Sequence, residues 1–176
     1  PGKFKISDSF SVLVKNRPFM AISVASIAML LGLLIQGSMS IYYFKDNLNA
    51  LELMSLTGLT IIVPMLLVSA FIPKLVKHFG NKKTSWVSSL ISGIIFFILF
   101  FLPDNPWIYL GGTLIGAVFL MIPNMLVWGM VSDCIDYNQY LSGSRQEGAI
   151  YGLYSFVRKL GQAFAGFLSG AGLSIV

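Results

Sequence analysis

The stretch "PFMAISVASIAMLLGLLIQGSMSIYYF", residues 18–44, decides the fold, because it runs between Arg17 and Lys45 without one charged side chain. A membrane-spanning α-helix needs about 20 mostly apolar residues, and this stretch is longer. Helix is favoured over strand, since the strands of a membrane barrel read as alternating stretches of about 10 residues. We therefore predict a membrane-spanning helix here. Pro18 fits its first turn, where proline is tolerated.

The composition extends this prediction to the whole chain. Hydrophobic residues make up 56% and charged residues 11% of the sequence, and the mean hydropathy is +0.79. A soluble domain has roughly 25% charged residues. The net charge of +5 could indicate nucleic-acid binding, but the basic residues cluster beside apolar runs, as in membrane proteins. We predict an integral, multi-pass membrane protein in contact with the lipid bilayer, with no nucleic-acid partner.

Four further apolar runs complete an all-α membrane protein with five transmembrane helices. The predicted spans are 18–44, 51–72, 84–102, 107–131 and 147–175. Basic clusters precede the first span (Lys3, Lys5, Lys15, Arg17) and separate the second from the third (Lys74, Lys77, Lys82, Lys83). Both clusters are expected on the cytoplasmic side. Residues 1–17 are then a cytoplasmic segment and 18–176 a partial helical domain. We interpret the chain as a fragment of a longer one, since it has no initial methionine and an odd number of spans.

Two adjacent cations, Arg158 and Lys159, lie in the middle of the last span. At 1.5 Å per residue they are roughly 17 Å from the predicted helix start at Glu147, close to mid-membrane. A cation at that depth costs about 2.5–3.5 kcal/mol on insertion scales. Both are therefore expected to face protein or a water-filled cavity. A purely structural role, in which one cation pairs with a buried acid and fixes helix packing, stays open.

The helical period assigns these cations to two faces, because residues three and four apart lie on one side of a helix. Lys159 shares its face with small residues: Gly148, Gly152, Ser155, Ala163, Gly166 and Gly170. Such a stripe allows close helix packing, so Lys159 is expected to point into the bundle. Arg158 shares a polar and aromatic face with Tyr151, Tyr154 and Gln162, which suits a substrate cavity. Asn124, beside Pro123 in the fourth span, is expected to line the same cavity.

The segment "SDCIDYNQY", residues 132–140, carries a second cluster of charges. Its side chains Asp133, Asp136, Tyr137 and Tyr140 fall on one helical face, and Arg145 and Glu147 follow after a short turn. Salt bridges at this inner mouth could lock the cytoplasmic side of a transporter. An ordinary hydrated helix end, where exposed pairs contribute about 0–1 kcal/mol, explains the pattern equally well. No His or Cys cluster has metal-ligand spacing, and no nucleophile has a triad context, so neither a metal site nor an enzyme is predicted.

Residues 132–166, "SDCIDYNQYLSGSRQEGAIYGLYSFVRKLGQAFAG", resemble the glycoside–pentoside–hexuronide:cation symporters, the melibiose-permease-like branch of the major facilitator superfamily. The shared pattern is D-x-x-D-Y, a short loop, G-x-R-x-E-G and Y-S-F-x-x-K-L-G-Q-A. "FIPKLVKHFGNKK", residues 71–83, is similar to the basic loop between helices eight and nine of that superfamily. The resemblance implies helices seven to eleven of a twelve-helix fold, with residues before Pro18 as the central cytoplasmic loop. It also implies sugar–cation symport by alternating access across a bacterial-type inner membrane.

The resemblance also implies site residues. Lys159 matches the lysine near the cation and sugar sites of that family, and Tyr154, Ser155 and Arg158 match its sugar-facing neighbours. Asn124 matches a cavity position. The inner-mouth charges match Asp133, Asp136, Arg145 and Glu147. Melibiose permease has other residue types at the positions of Tyr154, Ser155, Arg158 and Asn124. The sugar preference of that permease therefore does not carry over. The coupling cation, Na⁺ or H⁺, is expected to bind mainly in the missing N-terminal half of the same chain, with no other cofactor.

Charge complementarity leads to a further hypothesis, that an arginine beside a lysine favours an anionic sugar such as a hexuronide. Two other classes of function remain open at this point. The small-residue stripes would suit a non-transporting membrane scaffold or assembly subunit. A membrane-embedded enzyme is the third interpretation, and no catalytic motif supports it.

Overall fold

The computed structural model describes residues 16–143 and 145–175, and these residues form helices joined by short connections. The first helix, α1, spans Arg17–Tyr42 and ends in a π-helical turn, Tyr43–Asn47; a 3-10 helix, Leu51–Gly58, follows after a short break. Three longer helices follow: α2, Leu59–Leu99; α3, Pro106–Ser142; and α4, Glu147–Ile175. The described ranges contain no β-strand. The predicted all-α class is confirmed.

Polar residues immediately before two apolar runs fix where the helices begin. The side-chain oxygen Oδ1 of Asn16 accepts a hydrogen bond from the N–H of Phe19 at 3.1 Å, which caps α1. Its Nδ2 donates to the carbonyl oxygen of Cys134 at 3.2 Å. Asn105 caps α3 in the same manner, accepting from the N–H of Trp107 at 2.9 Å. Both helices therefore begin close to the positions predicted from their apolar patterns.

Three segments are long and apolar enough to cross a membrane. They are Arg17–Asn47, Leu51–Leu99 and Pro106–Leu141, with mean hydropathies of 2.3, 2.2 and 2.0. The second has 49 residues, which is long enough for two spans of about 20 residues each. Large apolar side chains such as Leu66 and Phe97 are exposed along it, as expected for a surface that faces lipid. The chain is thus an integral, multi-pass membrane protein.

The fourth long helix, α4, is not among the segments that satisfy these criteria. Its sequence contains the two central cations, an acidic first residue and many glycines, all of which lower its hydropathy. The count of five spans, their equivalence to helices seven to eleven and the domain boundary after residue 17 stay predictions. The basic residues Lys3, Lys5 and Lys15 lie outside the described residues.

Residues 71–83 were expected to form a basic loop between the second and third predicted spans, but the structure gives them as helix. Pro73, which cannot donate a backbone hydrogen bond, nevertheless lies inside α2. The lysines on either side of Gly80 are helical and do not form a loop. Within α2 the helical conformation is broken at Gly80, with φ 75° and ψ 161°. A positive φ strongly favours glycine, so the chain changes direction at Gly80, but the basic loop expected over residues 71–83 is wrong.

Helix α3 continues well beyond Val131, where the fourth span was predicted to end. Its last turns are polar but contain no glycine or proline until Gly143. Gly143 adopts φ +70°, and its N–H donates to the carbonyl oxygen of Gln139 at 2.9 Å. This is the usual glycine termination of a helix. The charges at 133–140 therefore lie on the same helix as the apolar residues that precede them.

The chain divides into two compact units. The first unit comprises the described residues up to Ile35 and those from Val127 onward, and the second is Gln36–Leu126. The core of the first unit is formed by Phe19, Val127, Val131, Cys134, Ile135, Ile150 and Tyr154. In the second unit, Val68 packs with Ile122 and Leu126.

Close helix packing in the second unit depends on Gly116 of the "GGTLIGA" segment, residues 111–117. The hydroxyl of Ser92 in α2 donates to the carbonyl oxygen of Gly116 in α3 at 2.9 Å. A Cβ atom at Gly116 would lie 2.9 Å from Cζ of Phe96, closer than side-chain carbons normally approach. The small residue at Gly116 therefore allows α2 and α3 to pack closely.

Candidate functional site

Two aromatic rings hold Arg158 in the first unit. Its guanidinium carbon lies 5.4 Å from the centre of the Trp128 ring and 5.9 Å from that of Tyr154. The two rings meet edge to face, with centres 5.4 Å apart. One terminal nitrogen of Arg158 is also 3.5 Å from the Tyr154 hydroxyl oxygen. A cation beside aromatic rings is attracted by their quadrupoles, so Arg158 is oriented by its neighbours.

Tyr154 is fully buried, which corrects the expectation that it faces a sugar. Its hydroxyl oxygen lies 2.8 Å from the Ser26 hydroxyl oxygen in α1. A side chain with no exposed surface cannot contact a substrate directly. It supports Arg158 and ties α4 to α1. Trp128, which contacts both residues, was missed by the sequence analysis because the helical period of α4 carries no information about α3.

The Ser26–Tyr154 hydrogen bond gives the first testable prediction. Tyr154→Phe should lower the free energy of unfolding by about 0.6 kcal/mol, and by no more than about 1.7 kcal/mol, as found for hydrogen bonds between membrane helices. Denaturant titration of the purified full-length protein measures it. Ser26→Ala is the matched control, and the double variant completes the cycle. If the two single effects add without coupling, the hydroxyls do not stabilise each other.

Lys159 is exposed, and its ammonium nitrogen donates to Oε1 of Gln162 at 3.1 Å. It has no ion pair with any residue in 16–143 or 145–175. Its small-residue stripe is also exposed: Gly148, Gly152, Ser155, Ala163, Gly166 and Gly170. The expectation that Lys159 points into this bundle is therefore wrong for the described chain. The close approach of α4 to α1 occurs at Gly161, where a Cβ atom would lie 3.5 Å from the Cα of Ile27.

Two further predicted binding residues have different surroundings. Ser155 is exposed on the stripe beside Lys159. Asn124 belongs to the second unit, is half-buried, and has its amide nitrogen 3.9 Å from the sulfur of Met121. The hypothesis that Asn124 lines the same cavity as Arg158 stays a prediction.

At the predicted inner mouth, Arg145 links the end of α3 to the start of α4. A terminal nitrogen lies 3.3 Å from Oδ1 of Asp136 and 3.4 Å from Oε1 of Gln139, and its Nε donates to Oε1 of Glu147. The hydrogen bond to Glu147, followed by the charge of that carboxylate, raises the pKa of Arg145. The guanidinium therefore stays charged at every physiological pH.

The remaining members of the predicted gate are not part of this cluster. Asp133 and Tyr137 are exposed on α3, and Asp133 forms no ion pair with a residue that the structure describes. The structure thus brings together Asp136, Arg145 and Glu147 from the predicted set. Across the same described residues, no group of three or more His, Cys, Asp or Glu side chains could hold a metal ion.

Comparison with known proteins identifies the family. The family described as "MFS/sugar transport protein" matches the chain over residues 1–176. The chain belongs to this family. Among curated proteins, this MFS chain is 36% identical to the "Uncharacterized symporter YjmB" of Bacillus subtilis (strain 168), over 99% of the chain and 38% of the relative. No solved structure matches it significantly.

Two more distant relatives have names that specify a sugar. The "Glucuronide carrier protein homolog" of Escherichia coli (strain K12) is 28% identical over 90% of the chain and 35% of the relative. The "Isoprimeverose transporter" of Lactiplantibacillus pentosus is 27% identical over 96% of the chain and 36% of the relative. The MFS chain thus spans between 35% and 38% of the length of these relatives. All three are named as carriers, symporters or transporters and none as an enzyme.

Proposed function

We propose that the chain is part of a secondary active transporter that symports a sugar with a cation, Na⁺ or H⁺, by alternating access in a bacterial-type inner membrane. The observation that carries this proposal is Lys159, a cation on an open face of α4 whose hydrogen-bond partner among the described residues is the neutral amide of Gln162. One neutral hydrogen bond contributes only about 0.5–1.5 kcal/mol. A cation deep in a membrane costs about 2.5–3.5 kcal/mol, which is more than this hydrogen bond contributes.

We infer that the remaining compensation comes from groups outside the described segment. The N-terminal half of the same protein would supply carboxylates opposite Lys159, and the coupling cation would bind among them. Binding of Na⁺ or H⁺ would weaken the attraction between those carboxylates and Lys159, and so couple cation binding to the closure of the cavity. The open small-residue stripe supports this, because it allows another helix to approach Lys159 closely.

Arg158 is the residue we propose to recognise the sugar, with Ser155 and Asn124 as further cavity residues. A guanidinium has five N–H donors, and Tyr154 is the one hydrogen-bond partner found for them in the described chain. The carboxylate of a uronic sugar can accept two parallel hydrogen bonds from these N–H groups. The relative named as a glucuronide carrier homologue supports an anionic substrate, whereas the one named as an isoprimeverose transporter supports sugar transport in general.

The experiment that tests the proposal uses the full-length protein in cells that lack related transporters. Uptake of labelled glycosides is followed in Na⁺ buffer, in Na⁺-free buffer and after collapse of the proton gradient. Uptake that depends on one of the two cations supports the symporter. Equal, unsaturable entry under all three conditions contradicts it.

A non-transporting scaffold is the second candidate, because the exposed stripe on α4 could equally dock a helix of another protein. The two candidates differ in one measurable property. A scaffold shows no saturable uptake of any glycoside, but is recovered from the membrane together with a partner. A transporter shows saturable uptake when it is purified alone and reconstituted in liposomes.

The inner-mouth cluster provides a prediction about the gate. Arg145→Glu places three carboxylates together, so it should destabilise the inward-closed state and slow uptake. The effect should be less than about fivefold, because exposed ion pairs contribute little. The charge exchange Asp136→Arg with Arg145→Glu should recover part of the rate. Initial uptake rates at saturating sugar measure both.

Glu52→Gln is the matched control for this experiment, since Glu52 is an exposed carboxylate with no ion pair to a described residue. Its uptake rate should equal that of the wild type. If Arg145→Glu transports at the wild-type rate, the cluster is an ordinary hydrated helix end and not a gate.

A further inference from the structure

Three side chains of the first unit form a continuous chain of polar contacts from α1 to α4. One terminal nitrogen of Arg158 lies 3.5 Å from the Tyr154 hydroxyl oxygen, and that oxygen lies 2.8 Å from the Ser26 hydroxyl oxygen. Ser26 is 2% exposed and Tyr154 is 0% exposed, so neither of them contacts a substrate. Arg158, at the other end of the chain, is half-buried. Ser26 can therefore influence a bound sugar only through its effect on Arg158.

The donors and acceptors of this chain follow from the chemistry of its members. A guanidinium has N–H donors and no acceptor, so the Tyr154 oxygen accepts from Arg158. The Tyr154 hydroxyl has one hydrogen of its own, and its acceptor in the described part of the chain is Ser26. A buried hydroxyl hydrogen without an acceptor is costly, so Tyr154 donates to Ser26. The hydroxyl of a helical serine can in turn donate to a carbonyl oxygen of its own helix.

This chain gives Ser26 a part in the orientation of the Arg158 guanidinium. Hydrogen bonds in a chain strengthen one another, so a Tyr154 oxygen whose hydrogen is donated to Ser26 is a better acceptor for Arg158. The guanidinium carbon is also 5.9 Å from the centre of the Tyr154 ring, and Ser26 anchors the far end of that ring. A carboxylate accepts two parallel hydrogen bonds only when the plane of the guanidinium is correctly turned.

We propose that Ser26 is a positioning residue for an anionic sugar, and that the chain of contacts couples the sugar site to the packing of α4 on α1. This inference rests on the proposed function, in which Arg158 recognises the carboxylate of the sugar. The coupling acts in both directions, because a coupling free energy between two sites is reciprocal. A carboxylate bound to Arg158 holds the guanidinium in the orientation that Tyr154 favours. An occupied sugar site therefore strengthens the Ser26–Tyr154 hydrogen bond and holds α4 more firmly to α1.

The transport test uses the full-length protein and two probes, methyl glucosiduronate and methyl glucoside, which differ only in the carboxylate of the sugar. Ser26→Ala should raise the KM for the glucosiduronate about threefold, the value expected when one hydrogen bond between membrane helices is lost. The KM for the glucoside and both maximal rates should not change, because Ser26 acts on the group that binds the carboxylate. Ser26→Thr keeps the hydroxyl and should restore the KM.

Ser23→Ala is the matched control for this experiment. Ser23 lies one turn earlier in α1 and is 5% exposed, and its hydroxyl has no hydrogen-bond partner among the described residues. Its substitution should leave the KM of both probes unchanged. The double variant Ser26→Ala with Tyr154→Phe should have the same KM for the glucosiduronate as Tyr154→Phe alone, since Ser26 acts through the Tyr154 hydroxyl.

A second measurement tests the reciprocal effect. The coupling between Ser26 and Tyr154 is obtained from the unfolding of the wild type, Ser26→Ala, Tyr154→Phe and the double variant, first without sugar and then with each probe at saturation. With the glucosiduronate, the coupling expressed as an equilibrium constant should rise about threefold, equal to the change in KM. With the glucoside it should stay the same. A hydrogen bond that serves helix packing alone would show one coupling under all three conditions.

Several results would overturn the inference and leave the symporter itself intact. One is a wild-type KM for the glucosiduronate in Ser26→Ala. Another is an equal rise of the KM for both probes, or the same rise in Ser23→Ala, since either would indicate a general effect on packing. A Ser26–Tyr154 coupling that does not respond to the glucosiduronate would also overturn it. A wild type that does not distinguish the two probes contradicts the proposed recognition of anionic sugars, and this inference with it.

Discussion

Lys159→Ala in the full-length protein should abolish cation-stimulated sugar uptake, with a loss of about a hundredfold or more. The physical reason is that Lys159 has no carboxylate partner in the described chain and is expected to meet acids of the N-terminal half. Removal of one member of a buried ion pair costs about 3–5 kcal/mol, which corresponds to that loss of coupling. Initial uptake rates with and without Na⁺ and a proton gradient measure it.

Two controls make the Lys159 experiment specific. Gln162→Ala removes the described partner of Lys159 but leaves the charge, so uptake should stay cation-dependent. Lys159→Arg keeps the charge and should retain part of the stimulation. The amount of each variant in the membrane is compared by immunoblot. Robust uptake and normal cation stimulation in Lys159→Ala would show that the lysine is structural, even if the protein is a transporter.

Arg158→Lys should discriminate between sugars. It keeps one positive charge but loses the planar donor pair and the stacking that the rings of Trp128 and Tyr154 provide. The KM for a uronic glycoside should rise about tenfold or more, because a hydrogen bond between charged groups contributes about 1.5–3 kcal/mol. The KM for a neutral glycoside should change little. Competition with each unlabelled glycoside measures both values.

The control for Arg158→Lys is a substitution in one of the two aromatic rings beside Arg158. Trp128→Leu removes one ring and no charge, so it should raise the KM for the uronic glycoside by less than Arg158→Lys does. If Arg158→Lys weakens neutral and uronic uptake equally, Arg158 serves helix packing. If the wild type itself takes up both glycosides equally, the preference for anionic sugars is wrong.

The residues around Gly80 show how far sequence reasoning extends to the fold. The apolar runs and the capping residues Asn16 and Asn105 act within a few residues, so the sequence predicts the helices and most of their starts. Gly80 breaks the helical conformation for a local reason as well, its positive φ. Pro73 does not end α2, although proline costs a helix one hydrogen bond.

The candidate site is less predictable, because its contacts are between residues far apart in the chain. Helical spacing groups Tyr154 with Arg158, but the burial of Tyr154 depends on Ser26 in α1 and Trp128 in α3. In the same way, the spacing identifies a small-residue stripe around Lys159 but not which helix covers it. The contact of Arg145 with Asp136 and Glu147 was predictable, since those residues are neighbours across one short turn.

The Arg145 cluster and the buried side chain of Tyr154 both bear on how α4 is turned about its own axis. A helix rotates by about 100° per residue, so a slip of one residue at Glu147 would carry Lys159 from one side of α4 to the next. Arg145 holds that first turn against Asp136 and Gln139 on the rigid end of α3. The buried Tyr154 holds α4 in the same register about one turn before Lys159, so the side that carries this cation is fixed by packing from within the bundle.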